Sequence, residues 1–258
     1  MSNNGGLVFE EEEESTGNGT RYVEIKQQAI LVEKLRGSEK ERILQLYEDG
    51  VLELDKVKKI DGNYYKVRTL EMGKNKGDLT AELVFSAVPN HQLIKAYTED
   101  IFQEKRLNLV FNDMQEGSPN IEVQMKMLTD MTGAKGIHYF AGSFIDRIPN
   151  IKIGTPMSFK PKLWEKKGRD NPIRYVEMNQ NNNQVGNYFY ANGEPANDKP
   201  LADVVKGVGG VEKKDFTKVI EFQLNIVEKF SKEIEDYWNN GQQVESKELV
   251  TDEENMPF

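Results

Sequence analysis

Aromatic and basic side chains alternate in one stretch of the chain, FKPKLWEKKGRDNPIRYVEMN, which begins at Phe159. A single-stranded nucleic acid needs two things from a protein: cations that follow its phosphates and flat rings that stack on its unpaired bases. This stretch contains both kinds of side chain. Its candidate binding residues are Lys160, Lys162, Trp164, Lys166, Lys167, Arg169, Arg174 and Tyr175.

The spacing of these residues matters because side chains alternate between the two faces of a strand. If residues 157–164 form a strand, Phe159, Pro161 and Leu163 share one face. Lys160, Lys162 and Trp164 then share the other. We therefore predict that Trp164 lies on the exposed face beside two lysines.

A second stretch, NYYKVR, repeats this combination of rings and cations. Its candidates are Tyr64, Tyr65, Lys66 and Arg68. The alternative for both stretches is that the aromatics are ordinary core residues and the lysines an ordinary solvated face. Tyr139 and Phe140 fall in the apolar stripe of a predicted helix, so we expect both to pack in the core.

The sequence gives little support for metal binding, cofactor binding or catalysis. The absence of cysteine excludes disulfides, thiolate metal sites and cysteine nucleophiles. His91 and His138 are the only imidazoles. GVGG at 207–210 lacks the Lys-Ser/Thr ending of a phosphate loop. The carboxylates of NDMQEG and EIED have no recognised metal-ligand spacing. We predict no metal, no cofactor and no enzymatic activity.

Charge is distributed unevenly along the chain. The net charge is −9, with −5 in residues 1–20 and −4 in residues 245–258, which leaves residues 21–244 neutral. Within that body, residues 135–175 hold nine bases and three acids. Basic patches between acidic ends favour a polyanionic partner for which the ends compete.

The elements that must position these residues are mostly short strands. YVEIKQQAILVEKL, KVKKI, NYYKVR, LTAELVFSAV, RLNLVFND, NIEVQMKML, MSFKPKLW, IRYVEMNQ and VGNYFYA are predicted strands, and Asp61-Gly62 a hairpin turn. Helices are predicted from a Ser38 N-cap to Gly50, over HQLIKAYTEDIFQ, over 137–148 before Pro149, and over 215–238.

The resulting expectation is a mainly β protein with helical additions, an OB-fold-like small barrel followed by a long C-terminal helix. We assign residues 1–20 to a disordered acidic N-terminus, 21–240 to the nucleic-acid-binding domain and 241–258 to a disordered acidic tail. No apolar run reaches the roughly 20 residues of a membrane span, and MSNNGGLVFEEEEE lacks a signal-peptide pattern. We therefore expect a cytoplasmic protein, in the host cytoplasm if it is viral.

The sequence ends in TDEENMPF, which resembles the C-terminal tip of bacterial and phage single-stranded DNA-binding proteins. Those tips are acidic and end in Pro-Phe. The residues that match are Asp252, Glu253, Glu254, Met256, Pro257 and Phe258. Residues 140–190 also look like phage-encoded members of that class, with a short helix, IPNI, a strand and a basic loop.

The resemblance implies an OB-fold, sequence-independent binding of single-stranded DNA, and recruitment of replication, recombination or repair proteins through the tip. Two rivals remain open. One is a viral structural or interaction protein with a β-barrel core and no DNA-specific role. The other is a nuclease that uses carboxylates and magnesium.

Overall fold

The computed structural model describes residues 19–71, 74–101, 104–115, 117–128, 136–165, 168, 171–191, 194–206 and 211–248. Three α-helices lie in these ranges: α1 (Gly37–Glu48), α2 (Tyr139–Ile145) and α3 (Thr217–Glu248). The strands are β1 (Arg21–Ile25), β2 (Leu31–Lys34), β3 (Val57–Ile60), β4 (Asn63–Thr69), β5 (Leu79–Phe85), β6 (Val88–Ile101), β7 (Glu104–Asn112), β8 (Ile121–Leu128), β9 (Met157–Trp164), β10 (Ile173–Gln180), β11 (Asn183–Gln184), β12 (Tyr190–Ala191), β13 (Glu194–Pro195), β14 (Asp203–Lys206) and β15 (Glu212–Asp215).

Eleven of these strands form one sheet in the order β11-β10-β9-β6-β7-β8-β1-β2-β5-β4-β3. Neighbouring strands are antiparallel except for β1 and β8. β12 with β13 and β14 with β15 form two separate hairpins. The predicted mainly β class and long C-terminal helix are therefore confirmed.

The sheet curls around the larger of two hydrophobic cores. Buried residues from strands far apart in its order, such as Val23 of β1 and Val176 of β10, belong to the same cluster, together with Phe144 of α2 and Phe230 of α3. The strand order nevertheless ends at β11 and β3, so the described strand pairings leave the sheet open. The sheet is thus not closed into a barrel, and the OB-fold-like architecture stays a prediction.

A second, smaller core lies between α1 and the β4–β5 end of the sheet. Ile43 of α1 packs there with Tyr65, Val67 and Ala81. The predicted Asp61-Gly62 turn joins β3 to β4, and both residues have positive φ, at 48° and 87°. Such a turn is the two-residue type that matches strand twist.

The helix predicted over HQLIKAYTEDIFQ is wrong, because residues 91–101 of this stretch belong to β6. A register shift between Leu93 and Lys95 interrupts the pairing of β6 with β7. The extra residue places the buried Leu93 and Ala96 three positions apart. That spacing imitates the period of a helix, although the segment is a bulged strand.

Helix boundaries also depart from the prediction. Ser38 lies inside α1, whose N-cap is Arg36 and has no side-chain capping bond. α3 starts after Asp215, whose carboxylate accepts hydrogen bonds from the Thr217 backbone N at 2.9 Å and Oγ1 at 2.6 Å. It continues to Glu248, ten residues beyond the predicted end at 238. None of the helices in the described ranges is long and apolar enough to span a membrane.

Replacing Gly154 with alanine should lower the free energy of unfolding by about 1–2 kcal/mol, because an L-residue is strained at its φ of 80°. The new Cβ would also lie 2.0 Å from the Tyr237 hydroxyl oxygen, so that ring must move. Urea denaturation measures the loss. Gly186 is the matched control, since its Cβ would meet no atom within 4 Å. Equal stability of the two alanine variants would contradict this account.

Candidate nucleic-acid interface

Strand β9 shows the predicted alternation. Met157, Phe159 and Pro161 are buried, whereas Lys160 and Lys162 are half-buried on the opposite face. Trp164, at the end of the strand, is 53% exposed. Leu163 departs from the prediction because it is exposed, although its register keeps it on the face of Pro161. The core therefore ends before Leu163.

Strand β10 completes a two-stranded ribbon with β9. Tyr175 lies opposite Lys162 and Glu177 opposite Lys160, and directly opposed residues share a face. The Lys162 ammonium lies 3.5 Å from the Glu177 carboxylate. The ribbon face thus brings Lys160, Lys162 and Trp164 together as predicted, and adds Tyr175 and the acid Glu177.

Arg174 lies on the other face of the ribbon, opposite Leu163. Its Nε donates a 3.1 Å hydrogen bond to the Gln27 carbonyl oxygen, in the turn between β1 and β2. This bond ties the ribbon to a distant part of the sheet. The remaining candidates of the basic loop, Lys166, Lys167 and Arg169, lie outside the described residues.

The second predicted cluster separates into an exposed and a buried ring. Tyr64 is 48% exposed, and the Lys59 ammonium lies 5.7 Å from its ring centroid. Tyr65 is 1% exposed, and its hydroxyl is 3.1 Å from the Glu39 carboxylate. Tyr65 offers no ring face to a ligand in this structure, so of the two tyrosines only Tyr64 is placed to stack on a base.

The cations of this second cluster already have partners. Lys66 forms an ion pair with Asp55 at 3.2 Å, and Arg68 forms one with the buried Glu82. β4 also lies near the opposite end of the strand order from β9 and β10. The structure therefore gives two separate candidate surfaces, of which the ribbon has the larger exposed ring, that of Trp164.

One exposed ring beside the ribbon was not predicted. Tyr139, in the first turn of α2, is 63% exposed, whereas its neighbour Phe140 is buried. The prediction of a core role is thus wrong for Tyr139 and confirmed for Phe140. A seven-residue helix has only a narrow buried face, and Phe140, Phe144 and Ile145 already occupy it. Helical spacing carries the missed signal, since Tyr139 is four residues before the polar Ser143 and Phe140 four residues before Phe144.

Close to Tyr139, a lysine and an aspartate form an ion pair with little solvent access. The Lys199 ammonium is 2.5 Å from the Asp146 carboxylate, and the Gln223 amide is 3.5 Å from it. The Asp146 carbonyl also accepts the Tyr188 backbone N–H at 2.7 Å. These bonds hold Tyr188 and Lys199 against the C-terminal end of α2. In the described part of the chain, no group of three or more His, Asp or Glu side chains is placed to hold a metal ion.

Burial lowers the pKa of His138 below its ordinary value, and the nearby charges of Lys126 and Arg174 lower it further, against a smaller raising effect of Glu104. Below about pH 6.5 the unfolded chain therefore binds more protons at this position than the folded chain. Stability supported by neutral His138 is present above that pH and is lost as pH falls. Wild type should lose more unfolding free energy between about pH 7.5 and 5.5 than His138→Gln, as measured by urea denaturation. Parallel losses would contradict the shift.

The predicted tail residues Asp252, Glu253, Glu254, Met256, Pro257 and Phe258, and the acidic N-terminus 1–18, lie outside the described residues. Comparison with known proteins identifies no relative. No family model matches the chain, and neither a curated protein nor a solved structure is significantly similar to it.

Proposed function

We propose that this protein binds single-stranded DNA without sequence preference and protects it during replication or recombination. The observation that carries the proposal is the outer face of the β9–β10 ribbon. There Trp164 is exposed at the end of a row with Lys160 and Lys162, and Tyr175 lies beside them. Rings that stack on bases and cations that neutralise phosphates are the two components of sequence-tolerant single-strand binding.

The ribbon suits an unpaired strand better than a duplex. Stacking requires a base face that is exposed, and in a duplex the bases are already stacked on one another. Alternate residues of a strand are about 6.6 Å apart, so Lys160 and Lys162 can follow a backbone along β9. The basic loop 165–172 joins β9 to β10, so its cations extend the same row in sequence.

The proposal includes an OB-type core and a partner-binding tip. The curl of the sheet supports the first, since β1 and β10 contribute to one core. The composition of residues 252–258 supports the second, because acids followed by Met-Pro-Phe suit an apolar pocket ringed by bases. The proposed role is one of binding and not of catalysis, in the cytoplasm of a cell or of an infected host.

The test is fluorescence anisotropy of labelled oligo-dT and of an equally long duplex at two salt concentrations. We expect tighter binding of the single strand. If three phosphates are neutralised, affinity should fall roughly 20-fold between 50 and 200 mM salt. Binding of neither ligand, or equal binding of both, would overturn the proposal and favour a structural protein.

A chain that lacks residues 251–258 serves as the second arm of this experiment. Removing three acids cannot weaken a cation–phosphate interaction, so its single-strand affinity should equal or exceed that of the full chain. A loss of affinity would show that the tip is part of the DNA site rather than a partner-binding segment.

A further inference from the structure

A groove of about 1100 Å³ lies beside the ribbon, bounded by α2, the start of β10, the segment 199–202 and α3. Ligand pockets in proteins typically enclose about 300–1000 Å³, so the groove has room for a small molecule or one unit of a polymer. Trp164, Arg174 and Tyr175 form one wall and Tyr139 another. The groove is thus continuous with the candidate interface.

A buried guanidinium with an unpaired Nε lines this groove. Arg147 is 7% exposed, and its Nη1 donates to the Ser143 carbonyl oxygen at 2.6 Å and to Ser143 Oγ at 2.7 Å. Its Nε is buried and makes no hydrogen bond with any described residue. The Nε–Nη2 edge of arginine is a planar fork that binds two oxygens of a carboxylate or phosphate at once. An unpaired buried donor is costly, so this edge favours an anionic ligand.

The charge balance of the groove also favours an anion. Asp146, its only described acid, is already paired with Lys199. Arg147, Arg174 and Lys214 line the groove as well, and the described part of the chain gives none of the three an ion pair. A ligand that enters the groove therefore meets an excess of positive charge.

The mouth of the groove is aromatic. Tyr139 and Trp164 are both more than half exposed, and Tyr190 is exposed with the Lys199 ammonium 4.9 Å from its ring centroid. Exposed rings beside a cationic floor suit a ligand that has a flat ring at one end and an anion at the other. Among common ligands, nucleotides combine these two features.

We propose that this groove binds a nucleoside 5′-phosphate, with its base against Tyr139 and its phosphate on the guanidinium of Arg147. This inference deepens the proposed function and rests on it, because the groove and the ribbon share Trp164 and Tyr175. The ligand is either a free nucleotide or the phosphorylated end of a DNA strand, which have the same chemistry.

Calorimetric titration of the full chain with dTMP, thymidine and inorganic phosphate tests the groove. We expect dTMP to bind more tightly than either fragment. Tyr139→Ala should weaken dTMP binding roughly 5- to 150-fold through lost stacking. The ring is exposed, so this variant should fold normally. Arg147→Lys, which keeps the charge but removes the fork, should weaken dTMP binding and leave thymidine binding unchanged. Tyr237→Ala is the control, because Tyr237 is also an exposed ring and is not among the described residues that line the groove.

The outcomes separate this inference from the proposed function. If oligo-dT binds but dTMP does not, or if Tyr139→Ala binds dTMP as tightly as wild type, the groove is not a nucleotide site and the ribbon proposal stands. If dTMP binds and oligo-dT does not, the groove stands and the ribbon proposal falls. Binding of oligo-dT with a 5′-phosphate is then compared with binding of oligo-dT with a 5′-hydroxyl. Tighter binding of the phosphorylated strand indicates that the groove takes a strand end. Equal binding indicates that its ligand is a free nucleotide.

Discussion

Replacing Phe144 with alanine is expected to lower the free energy of unfolding by about 3–5 kcal/mol, the range for removing a large aromatic side chain from a well-packed core. Phe144 is fully buried, and its ring centroid lies 6.5 Å from that of Phe159 on β9 and 6.3 Å from that of Phe230 on α3. The ring therefore joins the short helix, the ribbon and the long helix. Its loss leaves a cavity that these three elements cannot all close.

Urea denaturation measures this effect, and Tyr139→Ala is its control in the same helix. Tyr139 is exposed, so its truncation should change stability by no more than about 0.5 kcal/mol. If Phe144→Ala does not fold, Phe144→Leu should still fold, with a loss smaller than that of the alanine variant, because it leaves a smaller cavity. A loss below about 1 kcal/mol for Phe144→Ala would show that α2 is not anchored by this contact.

The parts of the fold that were predicted correctly are those in which local pattern and tertiary environment agree. β9 alternates because its two faces meet core and solvent, and α3 keeps a helical period because one side packs on the sheet. β6 was predicted wrongly because its bulge between Leu93 and Lys95 changes the period of the apolar residues. A bulge depends on the partner strand, which local spacing does not reveal.

Predictions of the candidate site were likewise correct where they depended on local pattern and incomplete where they depended on tertiary packing. Alternation correctly grouped Lys160, Lys162 and Trp164, since neighbours within one strand determine it. Alternation alone does not say which face of β4 is covered, so Tyr64 and Tyr65 had equal standing as base-stacking candidates in the sequence. The packing of α1 on Tyr65 buries that ring and leaves Tyr64 exposed. The Arg147 edge was missed because it results from the packing of α2 against β10 and not from any motif.

Trp164→Ala should weaken single-stranded DNA binding roughly 5- to 150-fold, the effect expected when one base loses its aromatic platform. The side chain is more than half exposed, so its truncation should have little effect on the core. The salt dependence of binding should stay the same, because no charge is removed. Anisotropy with oligo-dT at several salt concentrations measures both quantities. Tyr237→Ala is the matched control, since Tyr237 is a similarly exposed ring on α3.

The double variant Lys160→Gln, Lys162→Gln should, unlike Trp164→Ala, change the salt dependence of binding in the same assay. Each lysine that neutralises a phosphate contributes about −0.7 to the slope of log affinity against log salt, so the slope should become shallower by about 1.4. The Glu177 carboxylate lies 3.5 Å from Lys162 and competes with a phosphate for it, so a change near half that size would show that only Lys160 contacts DNA. If the double lysine variant, like Trp164→Ala, lowers the affinity but leaves the salt slope unchanged, the lysines do not neutralise phosphates. The ribbon would then bind its ligand through aromatic surface alone, and an unpaired DNA strand would no longer be the best account of it.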